Sequence, residues 1–233
     1  LTLITAPLDD IMEASKADHE TTTKLFRLKK NANKLLNIVN ELLDFKKIDA
    51  GKEHINRATI ESKTYFEDLF YLFSDLAVSK QLDYYIQNLE ENVFVDLDTR
   101  QFDKVIYNLL SNAIKYTPEN GTVFLNTETE KGRFFIEIWD SGIGVDKENE
   151  FKIFEEYYRE KNAQDSIGTG IGLALTKKIV EQHRGNITCT TELKNAQQFT
   201  CFRIAIPYSL NELPQQQVTI LQEKHNLQKD IDD

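Results

Sequence analysis

Cysteine is almost missing from this 233-residue chain, and the two present, Cys189 and Cys201, have neither metal-ligand spacing nor a disulfide framework around them. A thiolate metal centre and a disulfide-stapled fold are therefore excluded, and both residues read as reduced core or strand positions. No apolar run approaches the roughly 18 residues needed to span a bilayer. The opening Leu1-Thr-Leu-Ile lacks the basic stretch that leads a signal peptide. No direct membrane contact is expected of these residues. Positive charge is also in deficit: the net charge is -10 and the pI near 5.0, which sets like charge against nucleic acid and anionic lipid and disfavours both as partners.

What is present divides the chain. Its length suffices for one substantial core and a second, smaller unit. Leu25, Leu28, Ala32, Leu35, Val39 and Leu42 alternate spacings of three and four, which draws a continuous apolar seam along a helix. Leu1, Ile4, Leu8 and Ile11 do the same upstream, and the polar stretch Ser15 to Thr23 places a hairpin turn in or near it. Two helices cannot keep such seams dry alone. A four-helix bundle with a second copy of residues 1–50 covers them; a hairpin packed on its own C-terminal domain is the alternative. Gly51 suits the helix C-terminus.

After a linker over 51–57, helices and strands alternate across 58–210. Tyr65 to Lys80 carries Phe66, Leu69, Phe70, Phe73 and Leu76 at helical spacing, Val93 to Val95 reads as a short strand, and Arg100 to Tyr116 as a long helix stopped at Pro118. Val123 to Thr129 and Arg133 to Asp140 form a strand pair about Lys131-Gly132. A helix over 172–183 and strands Asn186 to Thr191 and Thr200 to Ile206 come next. Residues 211–233 read as a polar tail or linker, with a short amphipathic helix at Val218 to Ile231.

Three short motifs carry the chemistry. On the long helix, Asn108, Asn112 and Lys115 stand at i, i+4 and i+7, so one stripe presents two amides and an ammonium. An amide oxygen is a hard ligand suited to magnesium, and an ammonium meets phosphate directly. Asp140-Ser-Gly142-Ile-Gly144 ends a strand in a turn whose glycines permit close approach of a ligand, and an ionised carboxylate there can select an exocyclic amine. Gly168-Thr169-Gly170-Ile-Gly172-Leu173 opens directly into a helix, and backbone N–H groups at a helix start form an anion site. A dinucleotide loop would need glycine where Leu173 stands.

In order, spacing and flanks these motifs resemble the nucleotide-binding boxes of the histidine kinases of two-component signalling, and of the wider ATPase fold shared with gyrase. Leu42-Leu-Asp44-Phe45-Lys-Lys-Ile48-Asp49-Ala-Gly51 likewise resembles the close of the second dimerisation helix in these kinases, and Phe151-Lys-Ile-Phe154-Glu-Glu-Tyr157-Tyr158-Arg159 resembles their phenylalanine box. The resemblance implies an α+β chain: an antiparallel helical hairpin, half of a dimeric four-helix bundle, then an α/β-sandwich ATPase domain of the Bergerat type with a mixed sheet. It implies ATP and Mg2+ as cofactors. Asn112 would be the metal ligand with Asn108 beside it, Lys115 would meet phosphate, Tyr116 would pack near adenine, and Asp140 would read the base. Arg159, within a polar lid over Val145 to Ser166, would reach a phosphate on closure. The implied whole is the cytoplasmic portion of a membrane-anchored sensor, homodimeric through residues 1–50, which passes phosphate to a receiver domain of a response regulator. An ATPase or nucleotide-sensing module of the same fold is the alternative.

Two further absences sharpen this reading. Gyrase-type, chaperone and mismatch-repair relatives usually carry a glutamate where Asn108 stands, and an amide has no basic lone pair with which to activate water. The acceptor histidine of the kinases lies in an H-E-x-x-x-P box, which His19, His54, His183 and His225 all lack. Leu1-Thr-Leu-Ile resembles the residues directly after that box, so the acceptor is expected upstream of Leu1, no catalytic nucleophile is expected in the chain, and the chain alone is expected not to phosphorylate itself. Phe199-Thr200 where the family often has Gly-Thr, and Arg184-Gly185 where it has two glycines, put strand-end geometry in question.

Overall fold

The computed structural model describes residues 19–51, 54–158, 170–194 and 197–208. Two compact units meet between Glu53 and His54. The described part of the first is one helix, α1, His19–Asp49. His19 to Thr23 are therefore helical, which corrects the turn expected there; residues 15–18 of that stretch, and the upstream helix, lie outside the described residues. Along the seam Ala32 is buried, whereas Leu28, Leu35 and Val39 are 54%, 57% and 42% exposed. Gly51 ends the helix at φ +63°, with its N–H on the Ile48 carbonyl at 3.0 Å.

The second unit begins with β1, Ala58–Glu61, paired antiparallel to β3, Phe94–Leu97. Both oxygens of the Glu61 carboxylate accept from the first turn of α2, Ser62–Tyr71, at 3.0 Å from Lys63 N and 2.7 Å from Thr64 N. The single helix expected over Tyr65–Lys80 is two. At Phe73 the N–H bonds the Phe70 carbonyl three residues back, and α3, Ser74–Ser79, starts afresh. The break turns the Phe73 ring edge-on to Tyr107, 5.1 Å away, a contact that helical spacing alone does not anticipate.

The main sheet is five-stranded and mixed, in the order β2-β4-β5-β7-β6. Strand β2, Asp83–Asn88, lies parallel to β4, Thr122–Glu130; β5, Arg133–Asp140, β7, Gln197–Pro207, and β6, Asn186–Lys194, are antiparallel to their neighbours. Alternation sorts the side chains. Val123, Leu125, Phe134, Ile136, Ile138, Phe202 and Ile204 form the dry face, against which Phe66 of α2 packs at 5.8 Å from Phe134 and 6.3 Å from Phe102. On the opposite face Phe124 stacks between Tyr85 and Trp139, and the Arg203 guanidinium lies 3.9 Å from the Phe135 ring. Neither β1 nor β2 is visible in the sequence pattern, and β6 and β7 run further than expected.

Two helices carry the site. In α4, Thr99–Tyr116, the Asp98 carboxylate caps Gln101 N at 3.2 Å, and Phe102, Val105, Ile106, Leu109, Leu110, Ala113 and Ile114 are buried. Helix α5, Gly172–Gln182, ends at His183, which is buried and committed at both ring nitrogens. Nε2 accepts from Asp98 N–H at 3.0 Å, so the proton sits on Nδ1, 2.7 Å from the Ile179 carbonyl; burial lowers its pKa. Asp98 also accepts from Asn56 N at 2.9 Å, so the chain is already tied to this unit two residues before β1.

Candidate functional site

Both amides of α4 are half-buried and oriented. Asn108 Nδ2 donates to Thr176 Oγ1 at 2.9 Å, and Asn112 Nδ2 donates to Asn108 Oδ1 at 3.4 Å. One turn on, Lys115 Nζ lies 3.1 Å from the Tyr116 hydroxyl and 4.6 Å from its ring centroid. The helix closes at Thr117, whose Oγ1 donates to the Ala113 carbonyl at 2.7 Å.

Asp140, at the end of β5, is 4% exposed, and its Oδ1 accepts from Gly142 N at 2.9 Å. Burial pushes its carboxyl up to about 7, against the pull of that one N–H. Gly142 is confined. A Cβ there would stand 2.6 Å from Asp140 Oδ1 and 2.7 Å from the Tyr116 carbonyl oxygen, so the aspartate turn meets the end of α4 only through a bare Cα. Ser141 fastens the same turn to β4, its N–H on the Thr122 carbonyl at 2.9 Å and its Oγ accepting from Thr122 N at 2.7 Å. Gly144, at φ +77°, abuts Gln198, and Val145 is held on both sides by Thr191 Oγ1, which accepts from its N–H and donates to its carbonyl, each at 3.0 Å.

The last glycine motif meets α4 from the other side. Gly170, at φ +72°, backs onto the main chain of Tyr157, whose N–H donates to its carbonyl at 2.9 Å. A Cβ on Gly172 would stand 2.6 Å from Asn108 Oδ1, so a side chain there would displace the Asn108 amide from its place beside α5. Leu173 comes next, half-buried. Asn108, Asn112 and Gly172 thus lie on one set of contacts along α4, and Lys115, Tyr116, Gly142 and Asp140 on a second at its end. Arg159, Gly168 and Thr169 lie outside the described residues.

Residues 97–210 match the family model of the histidine kinase-, DNA gyrase B- and HSP90-like ATPases. The second unit is a histidine-kinase-type ATPase domain. Histidine kinase P4 of Formosa agariphila is 30% identical over 223 residues, 94% of this chain and 16% of that protein, so the chain spans about a sixth of that relative. The structure of full-length ShkA in complex with AMPPNP superposes with a TM-score of 0.73 at 22% identity, covering 91% of this chain and 45% of that one. The complex of histidine kinase ThkA with response regulator protein TrrA gives 0.63 at 23% identity, covering 88% and 57%. Both likenesses bear on the fold.

The ATPase domain explains the two departures in its sequence. Arg184 takes φ +58°, the conformation a first glycine would adopt, whereas Gly185 faces the Ala205 carbonyl at a would-be Cβ distance of 2.8 Å. Phe199 packs edge-on to Phe124 on the outer sheet face, and Thr200 pairs with Asp140 in the ladder. Among the described residues no group of three or more His, Cys, Asp or Glu could hold a metal. The donor set at the site is instead two neutral amides, which fits an ion that leans on substrate phosphates and keeps its waters, as magnesium does. Thr176, Thr191 and Gln198 escaped the sequence reading. Only the i+4 spacing of Thr176 from Gly172 gave a hint.

The raised Asp140 carboxyl has a pH signature. The folded domain keeps a proton that the unfolded chain has released, so the contribution of this group to stability is full below about pH 4. It is lost as pH rises to about 7. Asp140→Asn cannot ionise. In urea titrations of the nucleotide-free chain, its stability advantage over the parent should grow between pH 4 and 7 to as much as about 4 kcal/mol. His183, common to both proteins, cancels in that difference. A pH-independent gap would mean that Asp140 titrates normally.

Proposed function

We propose that the chain is the core of a sensor histidine kinase, which binds Mg-ATP and hands the γ-phosphoryl group to a histidine outside residues 1–233. A ring nitrogen of that histidine forms the new P–N bond, the bond from the γ-phosphorus to the bridging oxygen breaks, and ADP leaves with the electron pair. The phosphoryl group then passes to an aspartate of a response-regulator receiver domain. The observation that carries this reading is the seat of Asn108. Its amide is fixed between Gly172 and Thr176 at the position where water-activating relatives carry glutamate, so the pocket suits holding ATP for another nucleophile.

In this reading Asp140 accepts from the exocyclic amine of adenine, with Gly142 and Gly144 giving the base its close approach and Tyr116 packing beside it. Asn112, with Asn108, holds Mg2+ against the phosphates. Lys115 meets a phosphate, and Gly168, Thr169, Gly170, Gly172 and Leu173 supply the helix start on which the phosphates rest. Arg159 reaches them from the lid. The protein is the cytoplasmic part of a membrane-anchored sensor; no helix among the described residues is long and apolar enough to cross a membrane.

Residues 1–50 form half of a symmetric four-helix bundle. The exposure of Leu28, Leu35 and Val39 along α1 supports this, because one chain leaves that stripe wet. Leu35→Asp buries an unpaired charge in such a bundle at a cost of several kcal/mol, so light scattering should report half the parent mass. An unchanged mass would remove residues 1–50 as the dimer contact.

Calorimetry with ATP and magnesium tests the nucleotide site. Hydrogen bonds to a charged group contribute roughly 1.5–3 kcal/mol, so Asp140→Ala should weaken binding about ten- to a hundredfold while the chain stays folded. Parent-like affinity in the folded variant would exclude Asp140 as the base reader. With labelled ATP the chain alone should take up no acid-labile phosphate, and should pass phosphate on once a segment bearing the H-E-x-x-x-P box is joined to it. Release of inorganic phosphate by the chain alone would favour a water-directed ATPase.

A further inference from the structure

We infer that Thr176 is a positioning residue for the two amides of α4: its hydroxyl orients Asn108, and through Asn108 it turns the oxygen of Asn112 toward the metal. The inference rests on the nucleotide reading above and adds to it a residue that none of the three motifs contains.

Thr176 is 1% exposed and stands one turn beyond Gly172 on the same side of α5. Gly172 gives Asn108 Oδ1 room, and Thr176 Oγ1 takes a hydrogen bond from Asn108 Nδ2 at 2.9 Å. The two residues form a socket for one amide. A threonine hydroxyl inside a helix can send its proton to a carbonyl three or four residues back, which leaves its lone pairs to accept. That polarity propagates: with Nδ2 held by Thr176, Asn108 shows Oδ1 to its neighbour, and Asn112 Nδ2 donates to it at 3.4 Å.

Asn112 therefore keeps Oδ1, the hard donor that magnesium prefers, on the edge of its amide away from Asn108. Without the hydroxyl, Asn108 Nδ2 loses the acceptor that fixes which edge of its amide faces α5. Once Asn108 reverses, its NH2 confronts that of Asn112, which must then turn its oxygen inward and present N–H groups to the cation. Partners that orient a metal ligand in this indirect way typically matter about ten- to a hundredfold in metal affinity.

The test compares Thr176→Val, which keeps the shape and loses the acceptor, with Thr176→Ser, which restores it. ADP binding by the full chain is measured with and without magnesium. In parallel, the side-chain amide signals of Asn108 and Asn112 are recorded by NMR in the nucleotide-free protein. Thr176→Val should lose about tenfold in ADP affinity with magnesium and little without it, and Thr176→Ser should recover. The Asn112 amide signals, which Thr176 does not touch, should move in the valine variant and return in the serine one. Parent-like magnesium dependence in folded Thr176→Val, or equal losses in both conditions, would overturn the inference. So would a shift confined to Asn108. If the parent chain shows no magnesium-dependent binding, the nucleotide reading fails, and the NMR comparison alone decides whether Thr176 orients Asn112. Thr176→Ala replaces the valine variant under the same criteria if valine prevents folding.

Discussion

Close approach of α4 to two glycines is the constraint on which the rest of the site depends. At one end of its polar stripe Gly172 stands against Asn108, and at the other Gly142 stands against the carbonyl of Tyr116. A methyl group at Gly142 would press on the main chain at the end of α4, and one at Gly172 would displace the Asn108 amide, while the opposite face of the helix is locked into the core by Phe102, Val105, Leu109 and Ala113. The glycines thus do more than permit a ligand to approach. Gly142 sets the spacing between the aspartate turn and α4, and Gly172 leaves the Asn108 amide its seat, before any ligand arrives.

The buried polar groups around this frame are of two kinds. His183 is satisfied at both nitrogens and joins the cap of α4 to the end of α5, so it behaves as structure. Asp140 receives one N–H from its own turn, and burial holds its carboxyl well above the usual carboxylate range. A carboxyl so placed is costly to ionise in the empty protein. Part of that penalty is relieved when a donor such as an exocyclic amine reaches it, and a site with this property favours a ligand that brings the donor.

The helices and the antiparallel core of the sheet were legible in sequence because their signals are local. The apolar stripe of α4, the turn at Lys131-Gly132 and the glycine spacing each fall within a few residues. What escaped depends on partners far along the chain. Strand β2 is half polar and draws its order from pairing with β4 and from Tyr84, whose ring stacks on Phe70 at 3.9 Å. The break between α2 and α3 answers to Tyr107. Thr176 and Thr191 acquire their roles only once α5 lies on α4 and β6 reaches the aspartate turn. Neither residue type at those positions says so by itself.

Trp139 is the only tryptophan of the chain and directly precedes Asp140, yet strand alternation sends its ring to the other side of the sheet. There it is 7% exposed, stacked 5.7 Å from Phe124, with Lys194 Nζ 3.2 Å from its centroid and its Nε1 donating to Glu137 at 3.2 Å. The indole is thus a built-in optical probe with a dry, polarised surrounding. A base held by Asp140 has the thickness of the sheet between itself and the ring and cannot stack on it. Its emission reports the integrity of the outer sheet face, so unfolding can be followed by intrinsic fluorescence while the nucleotide side is titrated.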